Sequence, residues 1–304
     1  MRSIPDVCEV ELVRGARASD AVDLLLEVPH GATRAQDYDC VLAALRGEFP
    51  AELREFFFVN TDVGAPELAQ RVAELYVERD PRRTAAVVRC LVPRTFIDCN
   101  RVIDVDAPQR RSEAGEVTPG LHAWVRERED AALLLLRYGA YRALVEAAAA
   151  RVCRAGGRML MVHSYAPRSI DVPVDERIVE RLREAYAPER ITTWPLRASV
   201  DLIVDDPEGR RLADPALVER ARASFEGAGY DVVLNGSYSL HPVTLAARIA
   251  AQHPGQTLCL ELRRDLLVPE FTPFVELRAD AHQVERAARA LADALSPAAR
   301  PTEA

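Results

Sequence analysis

Four apolar segments of the chain carry a histidine, a carboxylate or an arginine within them or at their ends. These segments are residues 24–30, 96–101, 159–164 and 258–263. Short apolar runs bounded by turn residues are typical of buried strands, and open α/β sheets bind ligands at the carboxyl ends of their strands. Two histidines, an Asn-Arg pair and a glutamate brought to one sheet edge would suit a metal-dependent hydrolase.

Two histidines come at the ends of predicted strands, His30 before Gly31 and His163 before Ser164. Neutral imidazole nitrogens suit Zn²⁺, and catalytic zinc sites use three protein ligands and leave one position open for water. A carboxylate is expected as the third ligand, and Asp62 in the loop 60–64 is the candidate. Asp62 could equally cap the helix that begins near residue 65, as Asp often does, so both interpretations stay open.

Glu261 interrupts the apolar run 258–262. A carboxylate inside a buried strand is costly unless it is paired or functional. Burial would also raise its pKa towards the range that is useful for a general base. The alternative is a structural ion pair with Arg263 or Arg264, because such pairs also explain buried carboxylates.

Candidate substrate-binding residues follow the segment 96–99 and lie in the loop 235–241. Arg101 presents a planar fork that can hold a carboxylate with two hydrogen bonds, and Asn100 adds a neutral donor. Asp98 could orient Arg101 or serve the outer shell of the metal site. Tyr238 and His241 precede a predicted helix and are further candidates for the pocket.

Strand and helix patterns alternate along the chain, which predicts an α/β fold. We expect a mixed, largely parallel central sheet with helices on both faces, in one domain over residues 1–304, with a core at about 20–296 and a frayed tail at 297–304. The polar segment 102–128 is expected to be a long covering loop. Predicted strands are 22–29, 56–59, 84–91, 95–99, a strand ending at residue 163, 200–204, 231–234 and 258–262. Predicted helices are 41–49, 65–77, 130–153, 175–186, 214–227, 242–252 and 281–295.

Composition excludes several classes of function. The net charge of −8 argues against non-specific nucleic-acid binding. The chain contains no lysine, which excludes Schiff-base and P-loop lysine chemistry. No apolar stretch is long enough to span a membrane, and the first residues do not resemble a signal peptide. We therefore expect a cytoplasmic protein with no membrane or nucleic-acid partner; its oligomeric state is left open.

Taken in chain order, these segments resemble the N-formylglutamate amidohydrolase family, related to the zinc carboxypeptidases and aminoacylases. The similarity extends from about residue 24 to residue 268 with the motifs in the family's order. The matching segments are Val28-Pro29-His30-Gly31, residues 60–65, Asp98-Cys99-Asn100-Arg101, Val162-His163-Ser164, residues 229–235 and Leu260-Glu261-Leu262-Arg263.

The resemblance implies a zinc-exopeptidase-like or phosphorylase/hydrolase-like fold and a Zn²⁺-dependent amidohydrolase. Such an enzyme would cleave the amide of an N-acyl amino acid such as N-formylglutamate. By the same resemblance, His30, Asp62 and His163 would hold the zinc. Glu261 would be the general base for a zinc-activated water, and Arg101 with Asn100 would bind the substrate carboxylate.

The sequence departs from the family pattern around the expected pocket. Val63 replaces an aromatic residue, and Thr33 occupies the place of a glutamate ligand in carboxypeptidases. The family usually has glycines after an N-P-Y segment, whereas this chain reads Asn235-Gly236-Ser237-Tyr238-Ser239-Leu240-His241. Two alternatives therefore remain. One is a deacylase or carboxypeptidase-like hydrolase of another carboxylate substrate, and the other is an inactive binding protein on the same fold.

Overall fold

The computed structural model describes residues 1–103 and 120–295. Seven strands of these residues form one sheet with the order β1-β3-β2-β4-β7-β5-β6. The strands are β1 Cys8–Arg14, β2 Leu24–Val28, β3 Thr84–Cys90, β4 Arg158–Tyr165, β5 Val200–Ile203, β6 Val232–Leu234 and β7 Thr257–Arg263.

Four neighbouring strands, β3, β2, β4 and β7, are parallel, whereas β1 and β5 run antiparallel to their neighbours β3 and β7. Apolar residues of β2, β4 and β7 are buried on both faces, as expected for parallel strands covered on both sides. The carboxyl ends of β2, β4 and β7 consequently meet at one edge of the sheet.

Helices cover both faces of the sheet. The helices are α1 Ala35–Leu42, α2 Leu53–Asn60, α3 Ala65–Arg79, α4 Arg128–Arg154, α5 Ile178–Ala185, α6 Pro188–Ile191, α7 Pro215–Gly227, α8 Leu245–Gln252 and α9 Ala281–Leu295. One apolar core contains residues of α1, α2, α4, α5 and α8, and a second core contains residues of α3, α7 and α9. The predicted fold class, a mixed and largely parallel sheet with helices on both faces, is confirmed. Within the described ranges, no helix is long and apolar enough to cross a membrane.

Three predicted elements are wrong. Residues 56–59 belong to helix α2 instead of a strand, because Leu53, Phe56 and Phe57 are buried together at helical spacing. Residues 95–99 form no strand: after Pro93 the chain turns, and the N–H groups of Phe96 and Ile97 donate to the Pro93 carbonyl. The helix predicted at 41–49 begins and ends earlier, as α1. Most of the predicted covering loop 102–128 and the predicted tail 297–304 lie outside the described residues.

Candidate active site

Three predicted metal ligands lie together at the carboxyl edge of the sheet. His30 comes two residues after β2, His163 lies in β4, and Asp62 lies between α2 and α3. The Asp62 Oδ2 atom is 3.2 Å from His30 Nδ1 and 3.1 Å from His163 Nδ1. All three residues are buried, and their possible ligand atoms lie within 4.8 Å of one another.

The spacing of these atoms fits a tetrahedral ion. Ligand atoms placed at zinc-ligand distances of about 2.0–2.1 Å with tetrahedral angles lie roughly 3.3 Å apart. The two distances to Asp62 Oδ2 are close to that value. Two imidazoles and one carboxylate also match the ligand types of catalytic zinc sites. The residues present therefore fit the metal that the sequence predicts.

Hydrogen bonds fix Asp62 between the two histidines, and its side chain does not cap the following helix α3. The first residue before α3 is Gly64, whose φ of +84° is left-handed, and α3 has no side-chain cap. The Asp62 carboxylate instead accepts hydrogen bonds from the backbone N–H of Ser164 and from Arg264 Nη2, at 3.3 and 3.4 Å. Burial alone would raise the pKa of Asp62, but the adjacent imidazoles His30 and His163 outweigh it and hold the pKa below its usual range.

Asp98 orients His30 through the ring nitrogen that faces away from the proposed metal site. His30 Nε2 lies 2.8 Å from Asp98 Oδ1, and a carboxylate on the second ring nitrogen is the usual device that orients a metal-binding histidine. Asp98 also accepts a hydrogen bond from Arg94 at 3.0 Å. Burial would raise the pKa of Asp98, but the arginines Arg101 and Arg94 and the imidazole lower it, so the carboxyl is ionised. Burial would lower the pKa of His163, but the adjacent Asp62 carboxylate outweighs it and raises that pKa.

Glu261 lies beside His163 on the neighbouring strand, where the two residues are paired in register. Arg263 donates to Asp265 and Arg264 donates to Asp62. The buried Glu261 Oε2 atom has no hydrogen-bond partner within the part of the chain that the structure describes. Burial raises the pKa of Glu261 to about 7, which suits a group that takes up and releases a proton near neutral pH.

Residues 100 and 101 follow the turn at Asp98. The Asn100 carboxamide oxygen accepts a hydrogen bond from the Ala246 N–H at the start of α8. The Arg101 guanidinium lies 3.8 Å from the Asp98 carboxylate and 3.4 Å from the Asn100 carbonyl oxygen. Asn100 thus ties this turn to α8, and Arg101 places a positive charge next to the metal-site carboxylates.

The other two predicted pocket residues differ in their surroundings. Tyr238 is half exposed, and its hydroxyl accepts a hydrogen bond from Arg197 Nη2 at 3.2 Å. His241 is partly buried, and its Nδ1 atom accepts the N–H of Val243. The structure therefore connects Tyr238 to a charged group, whereas His241 is bound to its own loop.

Sequence reasoning missed Arg197 and Asp201. The Arg197 Nε atom is buried without a hydrogen-bond partner among the described residues, and its guanidinium lies over the rings of Tyr165 and Tyr238. Nothing in its local sequence marks it. Asp201 is buried opposite Glu261 in the sheet, and its carboxylate accepts the N–H groups of Gly236 and Ser237. Its signal was a carboxylate inside an apolar strand, the same signal that identified Glu261.

The chain matches known proteins in family and in fold. Residues 22–268 match the family model for N-formylglutamate amidohydrolase. The N-formylglutamate amidohydrolase from Ralstonia eutropha JMP134 is similar in structure, with 19% identity, a TM-score of 0.55 and coverage of 93% of this chain and 94% of that chain. A gene product from Agrobacterium tumefaciens has 20% identity, a TM-score of 0.54 and coverage of 95% and 94%. These two structures support the fold alone.

No curated protein matches this chain significantly in sequence. The family match nevertheless covers most of the chain and includes every residue of the site described above. The chain therefore belongs to the N-formylglutamate amidohydrolase family.

Proposed function

We propose that this protein is a zinc-dependent amidohydrolase that cleaves the amide bond of an N-acyl amino acid, with N-formylglutamate as the example that the family provides. The observation that carries the proposal is the buried group His30, Asp62 and His163, whose ligand atoms lie within 4.8 Å of one another, with Glu261 alongside. A zinc ion held by these three residues would lower the pKa of water and polarise the amide carbonyl.

Glu261 is the proton carrier of the proposed reaction. Its carboxylate accepts the proton of the attacking water and then delivers that proton to the nitrogen of the departing amino acid. Burial raises the pKa of Glu261, which makes its carboxylate a stronger base towards the proton of the water. Its Oε2 atom has no hydrogen-bond partner in the described ranges, so one carboxylate oxygen is available to the water.

The substrate carboxylate is assigned to the arginines around Asp98. Arg101, the residue predicted from the sequence, brings its guanidinium to 3.8 Å from Asp98. Arg94 and Arg197 add two more cations to the cavity that Asp98 also lines. Arginine binds carboxylates with a planar pair of donors, so this end of the site would fix the amino-acid part of the substrate. Asn100 positions Arg101 through its bond to α8, and Tyr238 positions Arg197.

Formate release from N-formyl amino acids tests the proposal. The zinc-loaded protein should release formate, lose the activity on chelation and regain it when zinc is returned. His163→Ala should bind less than one zinc and lose the activity, whereas His253→Ala, which changes a partly buried histidine outside the site, should retain both. Formate release that is unaffected by chelation would contradict the role of the metal.

A further inference from the structure

A cavity of about 150 Å³ opens beside the metal site. It shares Arg94 and Asp98 with the site, so it begins where His30 is oriented. Most of the remaining wall is apolar. This wall combines residues of α2, of α5 and of the segment between β4 and α5, among them Phe56, Val59, Ile170, Val174, Ile178 and Leu182.

The charges of the cavity are distributed unequally. Asp98 is the one carboxylate among the described lining residues, and it is engaged by His30 and Arg94. Arg197, beside Tyr238, has a buried Nε–H without a partner among the described residues, so it offers a donor to an anion. Arg168 donates one N–H to the Trp194 carbonyl at 2.6 Å and keeps its positive charge. A substrate carboxylate is therefore expected at these arginines.

The apolar wall is unsuited to a second carboxylate. A carboxylate placed against Val174, Ile178 and Leu182 would lose its water without gaining donors, which is costly. An apolar group would instead gain from leaving water. An apolar protein cavity of roughly 150 Å³ accepts a six-carbon molecule such as benzene. The cavity therefore has about the size of a leucine, methionine or phenylalanine side chain.

We propose that this cavity receives the side chain of the substrate, so that the preferred substrates are N-formyl derivatives of apolar amino acids rather than N-formylglutamate. This inference rests on the proposed amidohydrolase function. The carboxylate of the amino acid lies at Arg101, Arg94 and Arg197, the formyl group lies at the metal, and the apolar side chain lies between α2 and α5. The chain would then differ from a glutamate-specific enzyme in its side-chain cavity and not in its chemistry.

A substrate panel on the unmodified, zinc-loaded protein tests the inference. N-formyl-leucine should exceed N-formylglutamate and N-formylalanine in kcat/KM by about tenfold or more, since each methylene group in an apolar pocket changes specificity about 10–200-fold. A higher kcat/KM for N-formylglutamate would overturn the inference and leave the proposed function intact. Preference for N-octanoylalanine over N-formyl-leucine would also overturn it, because the cavity would then hold the acyl group.

Binding of the free amino acids tests the cavity independently of turnover. If no formyl compound is hydrolysed, the proposed function is refuted, but the binding experiment still tests the cavity. Leucine should bind the zinc-loaded protein more tightly than glutamate in calorimetry, and the reverse order would overturn the assignment of the cavity.

Val174→Lys should lower kcat/KM for N-formyl-leucine at least tenfold and raise the relative rate for N-formylglutamate. Leu136→Lys, on the exposed face of α4, is the matched control and should change neither. An unchanged preference in a folded Val174→Lys variant would place the side chain elsewhere.

Discussion

Replacing Asp98 by asparagine should weaken zinc binding without unfolding the site. The Asp98 carboxylate lies 2.8 Å from His30 Nε2 and accepts the N–H of Asn100 at 2.9 Å and an Arg94 donor at 3.0 Å. Asparagine has nearly the same shape and could still accept the hydrogen bond from His30. It removes the negative charge that makes His30 a stronger ligand, and its NH2 group would face the Arg94 guanidinium.

The size of the effect follows from this arrangement. Loss of a carboxylate partner from a metal-binding histidine typically lowers metal affinity about 10–100-fold, which corresponds to about 1.4–2.7 kcal/mol. We therefore expect the zinc Kd of Asp98→Asn to rise by one to two orders of magnitude, with the metal still bound in a one-to-one ratio.

Competition against a chromophoric chelator measures this Kd on the metal-free protein, and circular dichroism checks that the variant is folded. Asp37→Asn is the matched control. Asp37 is also a partly buried carboxylate bound to an arginine, Arg89 at 2.6 Å, but it belongs to the first turn of α1. Equal zinc affinities for wild-type protein and a folded Asp98→Asn variant would refute the argument that Asp98 supports His30 as a ligand.

Three further predictions concern the proton carrier and two buried polar groups. Glu261→Gln should retain one zinc but lose about 10²–10⁴-fold in turnover, the usual contribution of a general base; near-normal formate release would remove Glu261 from the mechanism. Burial lowers the pKa of His122 to about 4, below the value of about 6.5 expected when unfolded, so the unfolded state takes up a proton first as the pH falls. The protonation of His122 should therefore lower the free energy of unfolding by about 2 kcal/mol between about pH 7 and about pH 5. Urea titrations at both pH values should show this loss in the wild-type protein and in the exposed control His282→Gln, but not in His122→Gln. Tyr141→Phe removes the hydroxyl that donates to buried Glu27 at 2.6 Å, and should destabilise the protein by about 1–3 kcal/mol in urea unfolding; a smaller loss would mean that Glu27 finds another donor.

The strands that carry the site were predictable because each is a short apolar run buried on both faces. Strands β2, β4 and β7 all match predicted segments within two or three residues. The run at 56–59 has the same apolar character but no period of its own, and its helical partner Leu53 lies outside the run. Short apolar runs of this kind do not distinguish a strand from a buried helix.

The prediction of a strand at residues 95–99 was wrong for a different reason. Its apolar residues are buried, as a strand would require, but its backbone groups bond within the turn after Pro93. Nevertheless, the segment delivers Asp98 to the metal site, because the turn follows β3 at the same edge of the sheet. Asp98 therefore lies next to His30, as an outer-shell role would require, although the predicted strand is wrong.

Side chains at strand ends were accessible to sequence reasoning, whereas contacts between distant segments were not. His30, His163 and Glu261 each stand out within an apolar run, and strand order alone brings them together. Arg197 has no such signal, and the apolar cavity is built from segments more than a hundred residues apart. The substrate preference proposed above depends on that cavity, so it required the packing of α2 against α5.

Anomalous X-ray diffraction at the zinc absorption edge, from crystals of the zinc-loaded protein, tests the central claim most directly. The account predicts one strong peak within bonding distance of His30 Nδ1, His163 Nδ1 and the Asp62 carboxylate, and loss of that peak in His163→Ala. A peak at other side chains, or no peak at these three residues in protein shown to be saturated with zinc, would contradict it.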